Sequence, residues 1–135
     1  MHKKPRIYLA VPYTHSEKFW MDLRFQIVTY LTAQLHDAGF LVYSPITSSH
    51  PLLKYMKTEG AAIKYDVWKN LDRSMIDTWA DMLVMLKLPG HKESIGLKDE
   101  VKYSCDKRKI QVEITLEDVY YGKAIDHINN VWDWA

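Results

Sequence analysis

Four short apolar runs, separated by segments with helical periodicity, restrict how this chain can fold more than any other feature. The runs are Arg6–Val11, Phe40–Tyr43, Asp81–Leu86 and Ile110–Ile114. Runs of this length are typical of buried strands in a parallel sheet. Strands that alternate with helices predict right-handed crossovers and a parallel sheet covered by helices on both faces. We therefore expect an α/β fold of the Rossmann-like or flavodoxin-like kind, with four to five strands.

Length and charge limit the kind of partner. The 135 residues are 47% hydrophobic, which fits one compact domain over 1–135. With 18 basic and 17 acidic residues, the net charge of +1 gives no field to attract a nucleic acid polymer or an anionic membrane. No run approaches the roughly 20 apolar residues of a membrane helix. We expect a soluble cytoplasmic protein that binds a small molecule.

The first run leads through a turn at 12–15 into a predicted helix. Thr14 and Glu17 have the spacing of a capping box, and Gly39 marks the helix end. The apolar positions with helical period are Trp20, Leu23, Ile27, Leu31, Leu35 and Ala38. From 44 to 65 no periodicity is clean, so we expect a long mixed loop or lid there. Its candidate ligand contacts are His50, Lys54 and Tyr55.

A second helix is predicted to begin near Asp66. Its apolar face comprises Trp68, Leu71, Met75, Ile76 and Trp79. Asp72 falls inside this apolar stripe, where an unpaired charge would cost several kcal/mol. We infer that Asp72 lies at the rim of the face, has an internal partner, or faces a ligand cavity.

A third helix follows the strand that ends near Pro89. Its first turn contains Ser94 and Gly96, where free amides and the helix dipole favour an anion and glycine permits a close backbone approach. A purely structural role, with Ser94 as the N-cap and Gly96 as a conformationally flexible neighbour, explains these two residues equally well. Glu100 follows near the carboxyl edge of the sheet, as either a solvated residue or one that faces a substrate. Cys105, in register with Leu97 and Val101, is predicted to be a small buried core residue.

The loops at the carboxyl ends of the strands supply the remaining candidates, because ligands bind at that edge of such sheets. They include Pro12, Tyr13 and His50, while Tyr8, Tyr43 and Trp68 could stack on a base. The six histidines show no metal-type spacing, so no metal site is expected. No Walker loop and no G-x-G-x-x-G follows the first strand, so no nucleotide cofactor is expected. Residues 115–135 are expected to form a loop and a short helix.

Taken in order, these positions resemble the nucleoside 2-deoxyribosyltransferase family, including its deoxynucleoside 5′-monophosphate N-glycosidases. The resemblance spans about the first 105 residues. It rests on the strand Ile7–Ala10 with its tyrosine, on Asp72 four residues before Ile76, on Ala80–Asp81 at the start of a strand, and on Ser94-x-Gly96-x-x-x-Glu100.

The resemblance implies an enzyme that cleaves or transfers the N-glycosidic bond of a deoxynucleoside or its 5′-monophosphate. Glu100 would be the nucleophile, Asp72 would assist the leaving base, and Tyr8 would lie beside Glu100. Ser94 occupies the position that helps to hold a 5′-phosphate in the monophosphate-cleaving relatives. A homodimer or larger oligomer is implied as well, for which Trp132 and Trp134 are plausible contacts.

Two other functions stay open. The same scaffold can serve as a nucleotide or nucleotide-sugar sensor that binds its ligand without turnover, since fold does not decide function. A structural protein that recruits partners through its terminal tryptophans is the third reading. Hydrolase and transferase are equally compatible with the sequence, because either water or a second base can release a glycosyl-enzyme intermediate.

Overall fold

The chain forms a four-stranded sheet with helices packed against it. The computed structural model describes residues 3–13, 17–56 and 61–135, with backbone only for 61–66. The strands are β1 Arg6–Ala10, β2 Leu41–Tyr43, β3 Met82–Lys87 and β4 Ile110–Thr115. The α-helices are α1 Lys18–Asp37, α2 Pro45–Ser49, α3 Ala61–Ser74, α4 Ile95–Asp106, α5 Leu116–Tyr120 and α6 Ala124–Asp133. A 3₁₀ helix spans His50–Tyr55, and a π-helical turn, Met75–Trp79, continues α3.

All strand pairs are parallel, in the order β2-β1-β3-β4. The predicted α/β class and strand number are therefore confirmed. The order is that of the first four strands of the flavodoxin-like arrangement, in which the chain reverses direction across the sheet between β1 and β3. The crevice outside the carboxyl ends of these two strands is where such sheets bind ligands.

Alternation along the strands divides the core into two layers. On one face, Ile7 and Leu9 of β1 pack with Val84 of β3 beneath α1 and α6. On the other face, Tyr8 and Leu83 pack with residues of the π turn and α4. Successive side chains of a strand point to opposite faces, which explains why each strand supplies both layers. Tyr8 therefore lies on the face covered by α3, the π turn and α4.

The buried stripe of α1 differs from the predicted one. The buried residues are Arg24, Val28, Leu31 and Leu35, whereas Trp20 is 41% exposed. The stripe is rotated because the Arg24 guanidinium, counted as polar in the sequence, turns inward and donates to the Tyr13 and Pro89 carbonyls at 3.2 and 2.7 Å. The helix begins at Lys18, with Glu17 at the N-cap position, and Thr14 lies outside the described residues.

Gly39 ends α1 as predicted. Its φ of +92° lies in the left-handed region, which glycine adopts without steric cost. The chain then turns directly into β2.

The prediction of a long loop or lid over 44–65 is wrong for most of this segment, which forms helices. Ser44 caps α2 by accepting a hydrogen bond from the Thr47 amide at 3.3 Å, and Pro45 begins the helix. The 3₁₀ helix follows directly, and α3 begins at Ala61 rather than near Asp66. Helices of five or six residues are too short to show a periodicity, which is why the sequence pattern missed them.

Three smaller expectations are also corrected. Cys105 is exposed rather than buried, because the neighbouring Ser104 faces the core and receives a hydrogen bond from Gln111 at 2.6 Å. Leu71, predicted on the apolar face of α3, is 41% exposed. The expected loop after Thr115 contains α5, which a capping box between Thr115 and Asp118 starts.

The terminal tryptophans have different environments. Trp132 packs against the core and donates its indole N–H to the Lys3 carbonyl at 2.8 Å, whereas Trp134 is 90% exposed. Across the described residues, no helix is both long and apolar enough to cross a membrane.

Candidate functional site

A cleft of about 990 Å³ opens at the carboxyl edge of the sheet. Its walls come from the end of β1, from α2 and the 3₁₀ helix, from α3, and from the start of α4. The apolar wall includes Leu9, Val11, Met21, Ile46, Leu53, Trp68 and Leu97, and the polar wall includes Lys69, Asp72, Arg73, Glu93, Ser94, Asp99 and Glu100. The cleft therefore lies where the parallel topology predicts a ligand site.

Glu100 projects from α4 into this cleft and is half-buried. Its Oε2 accepts a short hydrogen bond from the hydroxyl of Tyr8, whose ring is fully buried in the middle of β1. Tyr8 does not line the cleft; it approaches Glu100 from the sheet side. The carboxylate is therefore fixed from behind, and its other oxygen is left for the cleft.

Asp72 reaches the same cleft from α3 and is also half-buried. Its Oδ1 accepts a hydrogen bond from the Tyr43 hydroxyl at 3.2 Å. Tyr43 and Tyr8 are register partners on the adjacent strands β2 and β1, with ring centroids 5.6 Å apart. Two neighbouring tyrosines of the sheet thus each hold one of the two carboxylates.

Burial controls the ionisation of both acids. It raises the pKa of the Glu100 carboxyl to about 8, although the hydrogen bond from Tyr8 acts to lower it. The negative charges of Asp72 and Asp99 raise that pKa further. Burial also raises the pKa of Asp72 to about 6, against the lowering effect of the Tyr43 hydrogen bond. Between these two values the pair holds one proton and one negative charge.

Both tyrosines remain hydrogen-bond donors at neutral pH. Burial, followed by the charges of Glu100 and Asp72, raises the pKa of Tyr8 well above its usual value of 10. Burial and the charge of Asp72 do the same for Tyr43. A donor aimed at a carboxylate favours its ionised form, so each tyrosine moderates the cost of burying its acid.

Asp99 faces a different partner from its neighbour Glu100. Its Oδ1 lies 2.7 Å from an Arg73 nitrogen and 3.9 Å from the Lys69 amino group. This ion pair joins α3 to α4 across the cleft wall. It therefore fixes the two helices that carry Asp72 and Glu100 relative to each other.

Ser94 and Gly96, at the start of α4, line the cleft. The Ser94 hydroxyl accepts a hydrogen bond from the Leu97 amide at 3.2 Å, which makes Ser94 the N-cap of the helix. A Cβ at Gly96 would meet no atom within 4 Å, so the space beside its backbone is open. Trp68 lines the opposite wall from α3 and is half-buried.

The loop that follows β1, the 3₁₀ helix and α1 bring together three further side chains. Tyr13 lines the cleft, and its hydroxyl forms a short hydrogen bond with Nδ1 of His50. The other ring nitrogen of His50, Nε2, lies 3.3 Å from Asp22 Oδ1. His50 stands behind Tyr13 rather than in the cleft wall, and Pro12 is buried at the end of β1 outside that wall.

Sequence reasoning missed two positions that shape the site. The sequence pattern predicts Tyr43 only as a stacking residue, although its place in a strand next to β1 could indicate a partner for Tyr8. Arg24 lies four residues before Val28, in line with the buried stripe of α1, and such an arginine indicates internal acceptors. Its guanidinium joins the first loop to Pro89, and a Cβ on Gly90 would approach it to 2.7 Å.

The site combines one ionised and one protonated carboxyl group in a partly apolar cleft. Such a pair can supply a nucleophile and a general acid to one substrate. Among the residues that the structure describes, no three His, Cys, Asp or Glu side chains come together as a metal site.

The chain belongs to the family described as Domain of unknown function (DUF1937), which matches residues 5–116. The matched segment contains all four strands and helices α1 to α4, and with them Tyr8, Asp72 and Glu100. No curated protein matches the chain.

Burial of Glu100 has a measurable effect on stability. Because the pKa of this acid is raised in the folded protein, the folded state retains a proton that the unfolded state releases above about pH 4.5. Stability is therefore lost as pH rises from about 4.5 towards 8. We expect Glu100→Gln, which stays neutral, to exceed the wild type in free energy of unfolding by about 1–3 kcal/mol at pH 8, with a smaller difference at pH 4.5.

Urea denaturation at both pH values measures this difference. Glu93→Gln is the matched control, because Glu93 lines the same cleft but is exposed, and surface substitutions change stability by only about 0.5 kcal/mol. A Glu100→Gln variant that is less stable than the wild type at pH 8 would contradict the account of the buried acid.

Proposed function

We propose that this protein cleaves the N-glycosidic bond of a deoxynucleoside or deoxynucleoside 5′-monophosphate through a glycosyl ester on Glu100. The observation that carries the proposal is the pair of half-buried carboxylates, Glu100 and Asp72, which line one cleft and are each bound by a tyrosine of the sheet. The resemblance of these positions, in the same order along the chain, to the nucleoside 2-deoxyribosyltransferase family supports the same chemistry.

In the first step, a Glu100 oxygen attacks C1′ of the sugar. The bond between C1′ and the base nitrogen breaks, its electron pair leaves with the base, and the proton on Asp72 passes to the base. In the second step, water or another base attacks C1′, the ester bond breaks, and Glu100 is regenerated as a carboxylate. The incoming nucleophile returns its proton to Asp72, so the cycle balances.

The active form has its proton on Asp72 and its charge on Glu100, which is the less populated arrangement because Asp72, with a pKa of about 6, is the stronger acid. The hydrogen bond from Tyr8 favours that charge, whereas burial and the neighbouring acids oppose it. A cationic sugar centre that develops beside Glu100 stabilises the ionised carboxylate further. We therefore expect a bell-shaped pH dependence of kcat/KM, with limbs near the values of about 6 and about 8 for the coupled pair.

The proposal includes two finer points. The apolar walls around Leu9, Ile46 and Trp68 suit the faces of a sugar and a base, which favours a small-molecule ligand. A homodimer, in which a second copy completes the site, is part of the proposal, and the exposed Trp134 is its candidate contact.

Glu100→Gln keeps the shape of the site but removes the nucleophile. We expect it to reduce release of free base by a factor of about 10³ or more, as loss of a covalent nucleophile does. Chromatography after incubation with deoxynucleosides and their monophosphates, with and without an acceptor base, measures the release. Glu93→Gln, in the same cleft, should retain activity within about threefold.

Equal activity of Glu100→Gln and the wild type would refute the role of Glu100. Ligand-dependent thermal stabilisation without release of free base would show that the protein is a binding module rather than an enzyme. A new nucleoside formed only with an acceptor base would identify a transferase, and free sugar would identify a hydrolase.

Substitutions of the two tyrosines should have opposite effects on kcat/KM at pH 7. Tyr8→Phe removes the donor that favours ionised Glu100, so we expect kcat/KM at pH 7 to fall about tenfold or more. Tyr43→Phe removes the donor to Asp72, which raises the pKa of Asp72 and favours the proton on that acid. We expect the acid limb, which follows Asp72 near pH 6, to move up by roughly 0.5–1 pH unit.

Profiles of kcat/KM from pH 5 to 9 for the wild type and both variants give this comparison. Both substitutions keep an aromatic ring, so each variant is the packing control for the other. An acid limb that stays at its wild-type position or moves down in Tyr43→Phe would show that Tyr43 does not act on Asp72.

A further inference from the structure

A hydrogen-bonded series of three polar side chains, Tyr13, His50 and Asp22, extends outward from the cleft wall. Tyr13, on the loop after β1, forms a hydrogen bond with Nδ1 of His50, on the 3₁₀ helix. Nε2 of the same ring lies 3.3 Å from Asp22 Oδ1, and the other oxygen of Asp22 lies 3.2 Å from the amino group of Lys18. The series thus connects α1, the 3₁₀ helix and the first loop.

The surroundings fix the position of the imidazole. The ring of His50 stacks on Phe25, with centroids 4.2 Å apart and an interplanar angle of 20°. The side chain of His50 is only 19% exposed. Tyr13 meets the imidazole edge-on, at 88° between the planes. A ring held between these two aromatic side chains has little freedom to turn away.

The order of partners determines which atoms carry protons. An ionised carboxylate can only accept, so the Nε2 that faces Asp22 must carry a hydrogen. In the neutral ring Nδ1 is then an acceptor, and the Tyr13 hydroxyl donates a hydrogen bond to it. Burial, together with the charge of Asp22, raises the pKa of Tyr13 to about 12, so the phenol keeps that proton at neutral pH. The lone pairs of Tyr13 Oη remain available to a ligand.

We propose that this series forms an acceptor subsite, in which the Tyr13 oxygen takes a hydrogen bond from a hydroxyl group of the ligand's sugar. The subsite rests on the proposed function for the identity of the ligand, and it goes further by naming what the outer wall of the cleft recognises. His50 and Asp22 are positioning residues that hold the Tyr13 proton away from the cleft.

The same geometry selects against a phosphate at this point. A phosphate dianion offers acceptors only, and the proton of Tyr13 is already engaged by His50. It would also add to the negative charge of Asp22 at the far end of the series. A sugar hydroxyl supplies the donor that the Tyr13 oxygen lacks, without adding charge.

The first test needs neither a ligand nor turnover. Long-range proton–nitrogen NMR spectra report the tautomer of each histidine ring, and His50→Gln identifies the signals of His50. We expect the Nε2–H form for His50 in the wild type, and a loss of that single form in Asp22→Asn. An Nδ1–H form in the wild type would overturn the proposal, because Tyr13 would then be the acceptor within the series.

The second test removes either the hydroxyl of Tyr13 from the protein or a sugar hydroxyl from the ligand. Wild-type protein, Tyr13→Phe and the control Tyr30→Phe are compared with a set of 2′-deoxynucleosides and with their 3′-deoxy and 5′-deoxy analogues. Tyr30 is 58% exposed on α1 and outside the cleft wall. Dissociation constants come from calorimetry on each protein in a Glu100→Gln background, and kcat/KM comes from base release with Glu100 intact.

Tyr13→Phe should weaken binding of the full nucleoside by about 5- to 20-fold, the loss expected for one hydrogen bond. It should have no further effect on the one analogue that lacks the recognised hydroxyl. Tyr30→Phe should bind all ligands as the wild type does. An equal loss for the nucleoside and both analogues would overturn the subsite, since Tyr13 would then act through packing alone.

The outcomes keep the two proposals separate. Base release that depends on Glu100, with no selective effect of Tyr13→Phe, would support the proposed reaction and overturn the subsite. Selective binding that Tyr13→Phe abolishes, without base release, would support the subsite and overturn the reaction. Absence of both binding and release would overturn both proposals.

Discussion

The mutual burial of two carboxyl groups is the constraint on which the site depends. Burial in the cleft raises the pKa of both acids, and the negative charge of Asp72 raises the pKa of Glu100 further. The sheet offsets part of this rise through Tyr8 and Tyr43, which parallel register places side by side on β1 and β2. An ion pair between Arg73 and Asp99 then fixes the helices that carry the two acids. Between about pH 6 and pH 8, the two neighbouring carboxyl groups of the folded protein therefore share one proton and carry one negative charge.

The sequence was sufficient for the framework and for much of the site. Short apolar runs predicted all four strands, and parallel topology alone directed attention to the segments near Tyr13 and Ser94. A carboxylate within an apolar helical stripe predicts a place at the rim, an internal partner or a cavity, and in the structure Asp72 has a partner in Tyr43 and lines the cleft. Local patterns succeed in these cases because burial and periodicity are properties of neighbouring residues.

What the sequence could not supply are contacts between residues far apart in the chain. Register between β1 and β2 decides that Tyr43 stands beside Tyr8, and no local pattern encodes that register. The rotation of α1 follows from two carbonyl groups that accept from Arg24, and the exposure of Cys105 follows from the inward turn of Ser104. The sequence does not predict the hydrogen-bonded series from Asp22 through His50 to Tyr13 for the same reason, since its residues lie on three separate elements.

The most direct test of the account is covalent capture of the sugar. A 2-deoxy-2-fluoroarabinosyl nucleoside slows both steps through its electron-withdrawing fluorine, and a reactive leaving base restores the first step, so that the glycosyl ester accumulates. Mass spectrometry of the digested protein would locate the added sugar. The account expects it on Glu100, with none in Glu100→Gln. Free base released without any adduct, or with the sugar on another residue, would contradict the central claim that Glu100 is the nucleophile.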